Sequence, residues 1–173
     1  MGDELLIVRC RLGERAAFGE LVRAWHEPVW TYVRRMIGDG RAEDVVQEVW
    51  LAVFRGLPRL RDPERFAPWL FAIARRAVTD LLRAEYARPE SADATEAVLP
   101  DGADAVVDRA ALGELLAALP VREREVLILH YLDDLPVEIC AQICGVPAGT
   151  VKSRLNRARR LLRAQMIEKG YPR

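Results

Sequence analysis

From Glu138 to Leu162 the chain reads EICAQICGVPAGTVKSRLNRARRLL, and few folds can accommodate that segment. At 3.6 residues per turn, Val151, Leu155, Ala158 and Leu162 fall on one stripe of a helix that starts near Gly149. Ser153, Asn156, Arg157 and Arg160 fall on the opposite side. From Gly149 to Arg163 the segment gathers six positive charges and no negative one. One face is suited to packing against protein; the other offers Arg, Asn and Ser to something anionic that accepts and donates hydrogen bonds. Upstream, Glu138 to Gly145 reads as a shorter helix closed by a glycine turn. Two helices joined by a short Gly-containing turn, the second one basic, describe a helix-turn-helix that places its second helix in the DNA major groove.

The net charge of zero obscures this, because the charge is unevenly distributed. Residues 86–108 hold six Asp/Glu against one Arg, whereas residues 109–173 hold 11 Lys/Arg against seven Asp/Glu. Residues 88–108 are rich in Ala, Asp, Glu and Pro and lack aromatics, which predicts a flexible acidic linker between residues 1–87 and 109–173. Its charge serves solvation or, alternatively, mimicry of nucleic acid in a basic channel. Hydrophobic content of 51% and charged content of 30% fit a globular chain of 173 residues. Leu5 to Val8 is too short an apolar run for a secretory signal, and no run approaches the ~20 residues that span a bilayer. A cytoplasmic location without membrane insertion is expected, and an odd three cysteines provide no disulfide framework.

The expected fold class is all-α, since no alternating strand pattern occurs. Phe18, Leu21, Val22, Trp25, Val29, Tyr32, Val33 and Met36 recur at helical intervals, with Pro28 predicted to break the run. Gly38-Asp39-Gly40 reads as a turn, Ala42 to Phe54 as a helix, and the proline-rich stretch Gly56 to Pro68 as a structured loop. Trp69 to Tyr86 is a third long helix. Beyond the linker, Ala110 to Leu119 and Arg122 to Tyr131 form a helical pair around Pro120, followed by the two helix-turn-helix elements. Each small domain buries a limited core and is expected to be marginally stable alone.

Four blocks in this order, AEDVVQEVWLAVF (42–54), WLFAIARRAVTDLLR (69–83), LPVREREVLILHYLDDL (119–135) and GVPAGTVKSRLNRARRLL (145–162), resemble a bacterial sigma factor of the extracytoplasmic-function type in the sigma-70 family. The resemblance spans roughly residues 15–165. It implies sigma region 2 within residues 1–87 and sigma region 4, with its helix-turn-helix, within 109–173. It further implies binding to core RNA polymerase, through the clamp helices of the largest subunit and the flap of the second, and recognition of promoter DNA in both double- and single-stranded form. An anti-sigma factor is a further expected partner. No cofactor or metal is implied.

Carried onto this chain, the resemblance assigns polymerase docking to Asp44, Gln47 and Glu48, which share one side of a helix, with Arg34 and Arg35 close in sequence. The loop Leu57 to Phe66 is assigned to capture of an unstacked base of the −10 element, a step whose cost a stacking and hydrogen-bonding pocket offsets. Arg59, Arg61, Asp62, Arg65 and Phe66 are the candidate lining residues, although Phe66 is equally a candidate core anchor. Arg75, Arg76 and Arg83 are assigned to phosphates and duplex DNA; Arg76 stands where many family members have Asn, which shifts the expected contact toward phosphate. Trp69 is either a wedge that opens the duplex or, at the head of an apolar helix, a packing residue; its position favours packing. This domain is also expected to be poorer in exposed aromatics than the melting region of a housekeeping sigma factor, so the resemblance implies stringent promoter recognition with less general melting power.

On the basic helix, Lys152, Ser153, Arg154, Asn156 and Arg157 lie toward the end that enters the groove and are assigned to the −35 element. Arg and Lys pair best with guanine and Asn with adenine, at ~1–3 kcal/mol of discrimination per good pair. Arg159, Arg160 and Arg163 are assigned to phosphate, and Thr150 to a helix cap that doubles as a phosphate contact. Cys140 and Cys144, one turn apart, with His130 upstream, lack a fourth metal ligand and read as small buried residues. An enzyme is disfavoured: there is no phosphate-binding Gly loop, and the two histidines, His26 and His130, fall in separate domains. The alternative is a stand-alone helix-turn-helix regulator, which needs neither the AEDVVQE block nor the Trp69 helix.

Overall fold

The structure, a computed structural model, describes residues 3–86 and 105–170. Among these residues every regular element is helical. Contacts divide the chain into two units, Met1–Pro89 and Glu90–Arg173. The first comprises α1 (Asp3–Arg11), α2 (Arg15–Ile37), α3 (Asp39–Gly56) and α4 (Phe66–Tyr86), with two single 3₁₀ turns, Leu57–Arg59 and Pro63–Arg65, between α3 and α4. The second comprises α5 (Ala105–Ala117), α6 (Val121–Leu127), a π-helical turn (Ile128–Leu132), α7 (Val137–Cys144) and α8 (Ala148–Glu168).

Pro28 does not break the helix as expected, because α2 runs through it. A proline inside a helix costs about 3 kcal/mol. On either side of it, Leu21, Val29, Tyr32 and Val33 are fully buried, each contributing ~1.5–3 kcal/mol, so packing on α3 and α4 outweighs the missing hydrogen bond. The expected Gly38-Asp39-Gly40 turn contracts to one residue. Gly38, at φ 82°, caps α2 and starts α3, its N–H donating to the Arg34 carbonyl at 2.8 Å. A side chain is strongly disfavoured at that φ, and Asp39 then opens α3 where a carboxylate suits the helix dipole.

The chain between α3 and α4 is pinned by Leu57 and Leu60, both buried. Asp62 caps the second 3₁₀ turn by accepting the Glu64 N–H at 3.1 Å. Helix α4 begins at Phe66, three residues earlier than expected, since Pro68 is harmless in a first turn whose N–H groups lack intrahelical partners. Helix α1 was not anticipated. Ile7 is its fully buried anchor, and Arg9 ties it to Glu14, the N-cap of α2, and, at 3.4 Å, to Glu20 within α2.

In the second unit α8 is the hub, packing against α5, α6 and α7. Leu116, Leu119, Leu127 and Ala158 form a buried cluster, with Leu112, Leu132, Leu161 and Leu162 around it. Helix α5 begins at Ala105, so residues 105–108, expected in the linker, are helical; residues 88–104 of that expected linker lie outside the described residues. The helix expected to reach Tyr131 leaves the α register at Leu127 and ends as the π turn. There the His130 ring Nδ1 lies 2.8 Å from the Leu135 carbonyl oxygen. Gly145 adopts the left-handed conformation (φ 65°) that ends α7, supplying the turn of the helix-turn-helix.

Candidate nucleic-acid and protein interfaces

The sequence pattern of α8 becomes a two-sided helix. Val151, Leu155 and Ala158 are buried, whereas Lys152, Ser153, Asn156, Arg157, Arg159 and Arg160 are exposed. Arg154 is half-buried at the margin. Helix α8 carries no carboxylate before Glu168, so its outer face is uniformly positive over its first four turns. Several of these groups already have partners. Arg159 Nη2 donates to Asn156 Oδ1, the Ser153 hydroxyl donates to the Thr150 carbonyl at 3.3 Å, and Arg157 Nη1 lies 3.6 Å from Glu123 Oε1 on α6. The expected capping role of Thr150 is not realised. The cap is Pro147, which has no side-chain acceptor, and Thr150 is the third helical residue, its N–H directed at the Pro147 carbonyl at 2.9 Å.

A second surface lies on α3. Ala42, Val45, Val46, Val49 and Val53 face the core, leaving Asp44, Gln47 and Glu48 together on the exposed side. Leu51, one turn on from Gln47, is 54% exposed and adds an apolar element to this face. Arg34 and Arg35 are half-buried at the end of α2, and Arg34 Nη1 lies 3.6 Å from Asp39 Oδ1.

The third surface is the segment joining α3 to α4. Arg59, Arg61 and Arg65 are exposed, and Asp62 is engaged as a cap. Phe66 departs from its candidate place in a base pocket: it is 2% exposed and packs edge-on against Trp25 at 5.7 Å, so of its two candidate roles the core is realised. Trp69 is partly buried against Phe66 at 6.0 Å and over Gly56, as packing residues are. On α4, Arg76 and Arg83 are exposed while Arg75 is half-buried; Arg83 lies 3.9 Å from Asp80. An open groove of about 420 Å³ beside this segment is lined by Leu5, Val8 and Pro63 with Glu4, Asp62 and Glu64, the wrong charge for a phosphate backbone.

Cys140 is fully buried, its Sγ 3.6 Å from the Leu135 carbonyl oxygen, and burial pushes its thiol up to about 11. Among the described residues no three His, Cys, Asp or Glu side chains are grouped to hold a metal, and no helix is long and apolar enough to cross a membrane.

Comparison with known proteins agrees with this division. A model of sigma-70 region 2 matches residues 21–88, and a model of sigma-70 region 4 matches residues 109–162. The chain is 32% identical over 172 residues to the ECF RNA polymerase sigma-E factor of Escherichia coli K12, covering 91% of this chain and 90% of that one. It is 31% identical over 169 residues to a probable RNA polymerase sigma factor, RfaY, of Xanthomonas campestris, where it spans only 42% of the longer protein. Among solved structures, CnrH in complex with the cytosolic domain of CnrY is similar at a TM-score of 0.77 and 27% identity, covering 96% of this chain and 97% of that one.

Proposed function

The chain belongs to the sigma-70 family, among its extracytoplasmic-function members, and we propose that its three polar surfaces divide the work of promoter recognition. It is a sigma factor: it binds core RNA polymerase and directs initiation to specific promoters. In our reading it works in the cytoplasm and makes or breaks no bond itself, phosphodiester synthesis being the polymerase's chemistry.

The observation that carries the assignment is the outer face of α8. Lys152, Ser153, Asn156, Arg157 and Arg160 are exposed there, opposite the buried Val151, Leu155 and Ala158. A rigid helix so polarised suits the major groove of the −35 element, with Lys152, Ser153, Asn156 and Arg157 at base edges and Arg160 at phosphate. Thr150 and Arg154 border this face. Arg59, Arg61 and Arg65 approach the displaced strand of the −10 element, and Arg75, Arg76 and Arg83 its backbone.

The α3 face of Asp44, Gln47 and Glu48, extended by Leu51, is assigned to the clamp helices of the largest polymerase subunit, and the second unit to the flap of the next. Mixed carboxylate, amide and leucine groups suit a charged helical partner better than nucleic acid, whose phosphates would be repelled. A protein antagonist that covers these surfaces is a further expected partner; the similar CnrH was solved with the cytosolic domain of another protein bound.

Run-off transcription with reconstituted core enzyme on a randomised promoter library tests the assignment. Enriched promoters should share an upstream and a downstream element, and Arg157→Ala should flatten preference in the upstream one only. Tight sequence-specific binding by the free chain, with no effect of core enzyme, would instead favour an independent regulator.

A further inference from the structure

We infer that Glu123 is a positioning residue for Arg157, holding its guanidinium ready for the −35 element and limiting its attachment to arbitrary phosphates. The inference rests on the assignment of α8 to that element. Glu123 lies in the first turn of α6, and its side chain is only 9% exposed. A carboxylate withdrawn so far from water needs a cation beside it. The cation supplied is Arg157, whose Nη1 is 3.6 Å from Glu123 Oε1. The two ends of this pair differ. The Arg157 side chain is 61% exposed, so the carboxylate engages it while more than half of it stays open to solvent.

The angular position of Arg157 makes this arrangement useful. Ser153 and Arg160 lie on the middle of the exposed arc, and Asn156 and Arg157 flank it on opposite sides, Arg157 on the side where Glu123 of α6 lies. A long, exposed arginine samples many rotamers, and holding one end narrows them before DNA arrives, so less freedom is lost on binding. The carboxylate also repels phosphate. A guanidinium that stays by Glu123 reaches a guanine edge only when the helix is correctly seated in the groove. On an arbitrary sequence the same guanidinium keeps its carboxylate and gains little. Discrimination against wrong sites is thus built from repulsion as well as attraction.

The sequence departs from simple base-reading logic here, because the group that tunes α8 resides on another helix. The adjacent Arg124 serves the fold, its Nη2 donating to the Leu119 carbonyl at 3.1 Å, and Glu125 is buried at 4% exposed. Glu123 is an α6 carboxylate paired with the outer surface of α8, through Arg157.

The test uses the full chain with core polymerase and a promoter library randomised across the upstream element, comparing wild type, Glu123→Gln, Arg157→Ala and the double variant. Glu123→Gln keeps the shape and removes the charge. Its expected effect is a roughly five- to tenfold loss of discrimination, confined to the base positions that Arg157→Ala also flattens, with preference in the downstream element unchanged. Binding of the holoenzyme to promoter-free DNA should rise by a few-fold. In the Arg157→Ala background, Glu123→Gln should change neither quantity. Glu123→Asp, which keeps the charge but withdraws it by one methylene, should fall between wild type and Glu123→Gln, and guards against a folding defect specific to the amide. Unchanged discrimination in Glu123→Gln, or an equal loss with Arg157 already removed, overturns the inference while leaving the sigma-factor assignment intact. A wild-type holoenzyme with no upstream preference would overturn the α8 assignment itself.

Discussion

The indole of Trp69 covers Gly56 so closely that a Cβ built on Gly56 sits 2.8 Å from Cζ2 of the ring. Gly56 has φ −90°, an ordinary helical value, so the constraint is space and not backbone conformation. The ring is backed by Phe66 at 6.0 Å and cannot swing away freely. Gly56→Ala gains at most about 1 kcal/mol of helix propensity, against about 1–3 kcal/mol for overpacking. The expected outcome is a net loss of about 1 kcal/mol in urea unfolding. Tryptophan fluorescence reports this unit alone, because Trp25, Trp30, Trp50 and Trp69 are the four tryptophans of the chain. In a Trp69→Leu background the Gly56→Ala change should carry no such cost, and equal destabilisation with and without the indole would refute the contact.

Pro28 is the converse case, a residue whose removal should help. It lies within α2, where it removes one hydrogen bond, and the buried residues around it already hold the helix straight through. Pro28→Ala should stabilise the first unit, by up to about 3 kcal/mol, seen as a higher urea midpoint with an unchanged slope. A drop in stability would mean that α2 needs the proline's fixed φ more than the missing bond.

These two positions also mark where sequence reasoning succeeds and fails. Helices α2, α3, α4 and α8 were legible because each repeats apolar residues along one stripe, and tertiary packing follows the same stripe. Helix α1 was not, since Ile7 is its fully buried residue while Leu5 and Val8 are exposed, so no stripe forms. The π turn after Leu127 is a change of hydrogen-bond register, which leaves the residue pattern unaltered. At the sites, the alternation of α8 foretold which side chains face outward. It was silent on Glu123, because a pairing between α6 and α8 depends on how the two helices cross. The same holds for Phe66, whose role is decided by Trp25 on another helix.

The α3 face leads to a prediction about assembly. Asp44 and Glu48 are exposed one turn apart and leave the core of the unit untouched. Asp44→Ala combined with Glu48→Ala should therefore preserve the tryptophan unfolding curve while weakening core-polymerase affinity at least tenfold, about 1.4 kcal/mol or more. Leu51→Ala should add to that loss, because truncating an apolar contact within an interface costs more than truncating a rim charge. Competition against a labelled sigma factor for core enzyme measures both, and unchanged affinity in the double variant would remove α3 from the docking surface.

Cys140 gives the second unit a defined response to alkali. Its thiol is raised from the ordinary value to about 11 by burial. The group ionises more readily in the unfolded chain, so the stability it contributes is complete below pH ~8.5, the ordinary thiol value. That contribution is lost as pH rises toward the folded value. Unfolding monitored by circular dichroism between pH 7 and 10.5 should show wild type losing stability more steeply above pH 9 than Cys140→Ala. The alanine variant starts lower, through lost packing, and converges on wild type as the pH rises. Parallel curves would mean the thiol is free to ionise in the folded state.

The last prediction separates residues of α8 that read bases from those that hold phosphate. Asn156 lies on the exposed arc with its Oδ1 accepting from Arg159, which leaves its NH₂ group available as a donor. Arg160, one turn on, is exposed and paired with no carboxylate on its own helix before Glu168. Asn156→Ala should relax one position of the upstream element by about 1–3 kcal/mol and leave the salt dependence of promoter binding unchanged. Arg160→Ala should do the reverse, weakening all promoters by a similar factor and lowering the slope of log affinity against log salt by about one. Because Arg159 occupies the Asn156 oxygen, the relaxed position should be one that offers an acceptor to the groove, such as guanine N7 or O6 or thymine O4. An adenine read bidentately needs that oxygen free to accept from its N6 amino group. Arg159→Ala, by releasing Oδ1, should then shift the preference at that position toward adenine. Holoenzyme binding titrated across salt on single-base promoter variants resolves all three substitutions. A uniform loss from Asn156→Ala, with no position relaxed, would place Asn156 on the backbone instead.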